Sequence, residues 1–414
     1  MATSTESHAR VRHLLPRHTL RPTTTAEMRD ALLTTVTEHR CIVVRGAGTG
    51  DLWAEPPGMG DATLETTGLN GVLQYNPADM TIAVRAGTRL DALQAELDEH
   101  GQRLAFDPAR AEHGATLAGL LATADGGPSR HAYGTLRDLV IGVTVVLADG
   151  TVARSGGHVI KNVAGYDLAK LFYGSFGTLG ALAEIVLRLH PAPRSTTTVT
   201  VECTRADAFD TAQLIAAAGL EPSAVELLAS DDTDTRLLVR FEGTPSGVLE
   251  RVAAVPTLTS QPTHTLDEDE AARSWAHVSA VATGEPGDTV LRFGALPSTA
   301  ATTTARAAHN AADLGLELAV TASISSGMHT LRLRGGDTHT HQQLLHEVQR
   351  TTGPACTVLR RDGLGPDAAL WGPAPSAVAL MREVKKRFDP DNRFGTHRLG
   401  TWLEPSPTNK ELTA

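Results

Sequence analysis

The chain has 414 residues, more than a single hydrophobic core usually organises, so two domains or more are expected. With 41% hydrophobic and 20% charged residues its composition is that of an ordinary globular protein, which excludes a disordered chain. A formal net charge of -10 without a clustered basic face excludes an electrostatic grip on nucleic acid and leaves small molecules or proteins as partners.

In chain order, Met1 to Leu15 lacks the apolar core of a signal peptide, and no later stretch approaches the roughly 18 uninterrupted apolar residues of a membrane span. Thr24 to His39 reads as an amphipathic helix, and Cys41 to Val44 as a short buried strand that runs into Gly46, Gly48 and Gly50. Strands are expected at Ala62 to Thr67 and Thr81 to Arg85, then a helix from Thr88 to Glu99 that stops at Gly101. A helix from Thr116 to Ala124 precedes the apolar run Leu139 to Leu147, which ends at the hairpin signal Asp149-Gly150; Ala181 to Leu189 is another strand. Around Pro191 to Thr198 the composition shifts to Pro, Ser and Thr, which marks a crossing between domains. Beyond it, strands near residues 196–203, 224–228, 236–241, 289–293, 317–321 and 329–334 alternate with helices near 206–218, 268–282, 299–314, 342–351 and 377–388. The expected fold class is α+β, a sheet covered by helices.

Cys41, Cys203 and Cys356 are odd in number, far apart and without a CxxC pair, so neither a disulfide framework nor an iron-sulfur site is expected, and a reducing cytoplasm fits. Arg45-Gly46-Ala47-Gly48-Thr49-Gly50 follows a strand, where glycines let backbone N–H groups approach a phosphate. The segment fails as a dinucleotide fingerprint, because the third glycine position is Asp51 and no helix can open at Trp53 to Gly58; an ordinary turn is the plain alternative. Gly114 to Gly119, with Gly126, Gly127, Arg130, Tyr133, Gly134, Arg137 and Asp138, joins a helix start, a glycine loop and two arginines, which suits an anionic ligand or a tight surface loop. Lys161 to Leu168 leads into Gly174-Ser175-Phe176-Gly177, which misses a GxSxG nucleophile elbow by one residue because Tyr173 takes the first glycine position.

Together and in this order, the three segments resemble the FAD domain of the vanillyl-alcohol oxidase and para-cresol methylhydroxylase (PCMH) superfamily. Lys161 to Gly180, Trp371-Gly372-Pro373 and Lys386 to Pro390 resemble most closely the FAD-binding subunit of bacterial glycolate oxidase. The resemblance implies a two-subdomain PCMH-type FAD-binding domain over residues 10–193. An α+β C-terminal substrate or cap domain with a ferredoxin-like sheet over 194–414 would follow, its last ~45 residues returning to the flavin domain. It implies FAD held by Arg45, Gly46, Ala47, Gly48, Thr49, Gly50, Thr116, Gly119, Gly126, Gly127, Arg130, Gly134, Arg137 and Asp138, with Asp107 and Pro108 as further contacts. Relatives with covalent flavin carry a histidine where Thr49 stands, so the FAD is expected to be non-covalent. Ala118-Gly119 replaces a glycine pair, and Gly395-Thr396-His397-Arg398 replaces a closing N-P-G-R, which opens the question of the C-terminal flavin contact.

The implied function is the FAD-binding subunit of a 2-hydroxy-acid (glycolate-type) dehydrogenase or oxidase, acting on glycolate or D-lactate. Its implied partners are a homologous flavin subunit and an iron-sulfur subunit, with any membrane attachment made through a partner. A stand-alone FAD oxidoreductase and a non-catalytic assembly subunit are the alternatives. Lys161 and Tyr166 are weak catalytic candidates, each equally readable as a surface lysine and a core tyrosine. His339, His341 and His346 have a spacing that hints at metal but read as a solvated helix face, so no metal is expected.

Overall fold

In the computed structural model, the described residues are 18–38, 41–55, 60–158, 167–230, 235–395 and 398–403. β1 (His18–Leu20), α1 (Thr25–Glu38), β2 (Ile42–Arg45) and β3 (Ala62–Glu65) form a small parallel sheet in the order β1-β3-β2. The Thr24 hydroxyl starts α1 by accepting the Glu27 N–H at 3.1 Å. Met28 and Leu32, one helical turn apart, bury the inner face of α1 against Ile42 and Leu64.

β4 (Val72–Asn76), β5 (Thr81–Arg85), α2 (Leu90–Asp98), β6 (Gln102–Arg103), α3 (Leu117–Ala122), α4 (Arg130–Tyr133), α5 (Leu136–Leu139), β7 (Val140–Val146), β8 (Val152–Gly156), β9 (Ala181–Arg188) and β10 (His190–Pro191) make the second layer. Five of these strands pair antiparallel in the order β4-β5-β9-β7-β8, and β10 pairs with β6. Alternate residues Ile82, Val84, Val143, Val145, Ile185 and Leu187 face Leu93, Leu97, Leu117 and Leu121 of the helices. β7 and β8 turn at Asp149-Gly150, where Gly150 has φ +80° and Asp149 accepts the Thr151 N–H at 2.8 Å.

β11 (Ser195–Glu202), α6 (Arg205–Ala217), β12 (Ala224–Ala229), β13 (Thr235–Gly243), α7 (Pro245–Leu258), β14 (Thr263–Thr265), α8 (Glu268–Thr283), β15 (Thr289–Gly294), α9 (Pro297–Asp313), β16 (Glu317–Ser323), β17 (Met328–Arg334), α10 (Thr338–Thr352) and β18 (Cys356–Arg361) follow. Their eight strands form one antiparallel sheet in the order β14-β11-β13-β12-β16-β17-β15-β18. Val225, Leu227, Leu237, Val239 and Ala322 bury one face against Phe209, Ile215 and Val248; Leu291, Val320 and Leu331 continue it against Leu344 and Val348. On the opposite face α8 covers Leu228, Leu238 and Ala319 with Val278 and Val281. The polar remainder of that face meets the N-terminal half. Arg240 donates to Asp107 at 3.0 Å and Ser129 at 2.7 Å, and Arg103 pairs with Glu242 at 2.5 Å.

The chain end returns to the first layer through α11 (Val378–Phe388) and the segment after it. Phe394 bridges in parallel to Ile42, whose N–H donates to Arg393 O at 2.6 Å. The buried Lys385 ammonium ties this segment down, donating to Asp389 at 2.5 Å, Thr178 O at 2.8 Å and Phe394 O at 2.9 Å.

Candidate functional site

A cleft opens where the end of β2, the start of α3, the turn at 174–180 and the returning C-terminus converge. β2 stops at Arg45 because the chain must turn: Gly48 has φ +80°, a conformation other residues resist. Arg45 folds back onto Asp51 at 2.8 Å, so its guanidinium is committed to the loop itself. Among the described residues, no backbone hydrogen bond outside the sheet ladders uses an N–H of Gly46 to Gly50 as donor, and all five residues line the cleft. Opposite them Thr116 caps α3 by accepting the Gly119 N–H at 3.3 Å, and a Cβ on Gly46 would collide with the Thr116 hydroxyl.

The third wall is the turn Ser175-Phe176-Gly177. Phe176 holds φ +52°, unusual for a bulky residue, because its N–H is clamped to Ala122 O at 2.8 Å and Gly174 N–H to Leu121 O at 3.0 Å. Gly395 and Arg398 close the cleft. The Arg398 guanidinium, buried over the Phe176 ring at 5.5 Å, donates to Gly50 O at 2.9 Å and Glu55 O at 2.7 Å. Burial lowers its pKa to about 10, with Asp51 opposing, so it stays cationic at neutral pH beside the glycine loop. The C-terminal segment, which sequence left open, therefore supplies a cation to the cleft.

At the inner end Trp53, fully buried, lies between the guanidinium groups of Arg110 at 4.3 Å and Arg292 at 4.9 Å from its ring. Asp125 sits 3.6 Å from each arginine. Burial lowers the Arg110 pKa to about 10, with Asp125 as the main opposing charge. Arg110 Nη1 and Asp125 Oδ2, the two atoms of this 3.6 Å ion pair, make no hydrogen bond, and the buried Trp53 Nε1 has no hydrogen-bond partner.

Of the sequence-predicted residues, Arg45 to Gly50, Thr116 and Gly119 line this cleft together. Gly126, Gly127 and Arg130 line a second, smaller cavity against the C-terminal sheet. Asp107, Pro108, Gly134, Arg137 and Asp138 line neither cavity. The Asp107 carboxylate is taken up by the Ser129 N–H at 2.9 Å and by Arg240. Asp138 caps α5 through the Thr135 N–H at 2.8 Å, Gly134 ends α4 with φ +77°, and Arg137 is exposed. Lys161 and Tyr166 lie outside the described residues. Sequence reading missed Trp53, Arg110, Asp125 and Arg292 as site residues; only tertiary contact gathers them from four separate segments.

The reading of three histidines on a solvated face needs correction. His339 and His346 are exposed, but His341 is buried, bonded through Nδ1 to Thr289 at 2.8 Å and through Nε2 to Gly335 O at 2.7 Å. It shares an inward stripe with Leu344, Leu345 and Val348. Among the described residues no group of three or more His, Cys, Asp or Glu could hold a metal ion, and no helix is long and apolar enough to cross a membrane.

Residues 16–156 match the family described as FAD binding domain. The chain is 33% identical over 208 residues to glycolate oxidase subunit GlcE of Escherichia coli (strain K12), covering 50% of this chain and 57% of that protein. It is 35% identical over 228 residues to glycolate oxidase subunit GlcD of Bacillus subtilis (strain 168), covering 54% and 47%. With the D-lactate dehydrogenase [cytochrome] 1, mitochondrial, of Saccharomyces cerevisiae the identity is 33% over 177 residues, 42% and 29% of the two chains. The chain thus spans about half the length of the first two of these relatives. Among solved structures an alkyldihydroxyacetonephosphate synthase superposes with a TM-score of 0.67 at 16% identity, over 90% of this chain and 74% of that one, a likeness of fold. A glycine loop whose N–H groups make no other backbone hydrogen bond, with arginines lining the same cleft, suits an anionic dinucleotide, and the matches agree: the chain carries a PCMH-type FAD-binding domain and resembles subunits of glycolate oxidase.

Proposed function

We propose that this chain binds FAD non-covalently and works as a flavin subunit in the oxidation of a small 2-hydroxy acid, glycolate or D-lactate, to the 2-oxo acid. The observation that supports it most is the cleft itself, lined by Gly46 to Gly50, whose N–H groups make no other backbone hydrogen bond, beside Arg398. When bound, FAD would supply a hydride acceptor. The chain's own residues supply the rest. The loop 45–50 would hold the diphosphate through its backbone, Thr116 and Gly119 would line the flavin, and Arg398 and Arg110 would offset its negative charge. Thr49 stands in the loop where a covalent link would need a nucleophile of another kind. Gly126, Gly127 and Arg130 would border the reacting end, while Asp107, Pro108, Gly134, Arg137 and Asp138 would hold the frame around it. The reading includes a flavin domain at 10–193 and a substrate domain at 194–414, with the last ~45 residues completing the flavin site.

Electrons would leave through a partner. This chain's three cysteines, Cys41, Cys203 and Cys356, are far apart in sequence and form no CxxC pair, a poor basis for an iron-sulfur cluster of its own. The relatives named as glycolate oxidase subunits support an assembly, here with a homologous flavin subunit and an iron-sulfur subunit in the cytoplasm. The test is anaerobic addition of glycolate and D-lactate to the yellow chain, alone and co-expressed with both subunits. Bleaching at 450 nm in the assembly is expected; no bleaching in either preparation overturns the substrate reading.

A further inference from the structure

The second cavity has a composition the cofactor does not explain. It lies between the loop 126–130 and the polar face of the C-terminal sheet, and is lined there by Glu226, Arg292, Thr321, Ser323, Met328 and Thr330. Strand register puts them side by side. Glu226 pairs with Ser323 and Ser323 with Met328, while Arg292 pairs with Thr330 and Thr330 with Thr321. Residues two apart on a strand share a face, so the two rows lie together on the polar face of the sheet.

The charges on this floor do not balance. Among the described residues the Arg130 guanidinium has no hydrogen-bond or ion-pair partner, and Arg292 has only Asp125, which it shares with Arg110. Two cations, Arg130 and Arg292, therefore line this cavity with a single acid, Glu226. Glu226 is 4% exposed and holds the Ser323 hydroxyl at 2.6 Å. Among the described residues no histidine lines either cavity, so Glu226 is the acid-base group at this place.

From this arrangement we propose that the cavity is the pocket for a small 2-hydroxy carboxylate, whose carboxylate lies between Arg130 and Arg292 and whose hydroxyl is hydrogen-bonded to Glu226. The proposal rests on the hydroxy-acid reading above and assigns residues to it. Burial raises the Glu226 pKa to about 8; the nearby Arg130 on α4, Arg240 on β13 and the Ser323 hydroxyl on β16 pull it down, and Asp107 pushes it up. Below that pH the neutral acid tolerates an anion next to it. Above it the carboxylate repels the same anion, so binding weakens as pH rises.

Oxalate serves as the probe because it has two carboxylates and no C–H bond to oxidise. Its affinity for the FAD-loaded chain and the FAD-free chain is measured by calorimetry between pH 6 and 9.5, with FAD content read at 450 nm. Arg292→Met is expected to weaken oxalate at least tenfold with FAD retained, and Arg130→Met to weaken oxalate at least tenfold in the FAD-free chain. The wild type should lose affinity above about pH 8, and Glu226→Gln should remove that loss. Full FAD with no oxalate binding, or with binding indifferent to all three substitutions, overturns the pocket and leaves the flavin reading standing. Oxalate binding with these dependences in a chain that takes up no FAD upholds the pocket and overturns the flavin reading.

Discussion

Replacing Gly48 by alanine tests the glycine loop where its geometry is most demanding. At φ +80° a Cβ costs about 1–2 kcal/mol in backbone strain. It would also stand 2.7 Å from Arg45 Cζ and 2.9 Å from Asp51 Oδ2, forcing apart an ion pair whose side chains are 24% and 18% exposed. A half-buried pair of this kind adds about 1 kcal/mol. The free loop can relax into another conformation, but the bound loop must regain this one, so about 2–3 kcal/mol falls on cofactor binding. At 1.4 kcal/mol per tenfold, FAD should bind roughly 30- to 150-fold more weakly. Quenching of FAD fluorescence on titration with apo-protein measures it. Gly101→Ala is the control: its φ is +64° with nothing within 4 Å, so it carries similar strain away from the cleft and should leave FAD affinity unchanged. A Gly48→Ala protein that binds FAD within twofold of wild type would refute the placement of the loop.

Other perturbations have equally definite outcomes. Lys385→Met leaves Asp389 buried without its cation at 2.5 Å, and a loss of about 3–5 kcal/mol, read by urea unfolding, is expected. Arg398→Met removes the charged donor to Gly50 O and Glu55 O; hydrogen bonds to a charged group contribute about 1.5–3 kcal/mol each, so both melting temperature and FAD affinity should fall. His329, fully buried between Phe209 and Phe293, has its pKa lowered to about 4 by burial. Its neutral form is favoured in the folded state, so stability should fall as pH drops from about 6.5 towards 4, by about 1.4 kcal/mol per unit. A His329→Gln variant, compared by unfolding at pH 4.5 and 7, should lose that part of the slope.

Much of the fold was legible because strong periodicity and glycine stops coincide, as in α2 ending at Gly101 and the β7–β8 hairpin at Asp149-Gly150. α7 escaped notice because its two prolines read as breaks. Pro245 sits at the first helical position under the Thr244 cap, where no N–H is needed, and Pro256 falls in the last turn. β18 was also missed, since Gly353-Pro354 before it reads as a loop and its strand is only six residues. His341 was recoverable in principle: its spacing to Leu344, Leu345 and Val348 marks the inward stripe, but the eye groups it with its polar neighbours. In the candidate site the glycine loop announced itself through local chemistry. Trp53, Arg110, Asp125, Arg292 and Glu226 did not, because each is an ordinary residue in its own segment. Tertiary contact gathers Trp53, Arg110 and Asp125, and docking of the C-terminal sheet adds Arg292 and Glu226.

The most direct test of cofactor binding is a stoichiometric titration of the acid-stripped chain with FAD, followed by acid precipitation of the complex. One FAD per chain, released in full to the supernatant, is the result expected of a non-covalent site in the cleft between Gly46 to Gly50 and Arg398. A folded chain that takes up no FAD, or that keeps its flavin in the pellet, would contradict it.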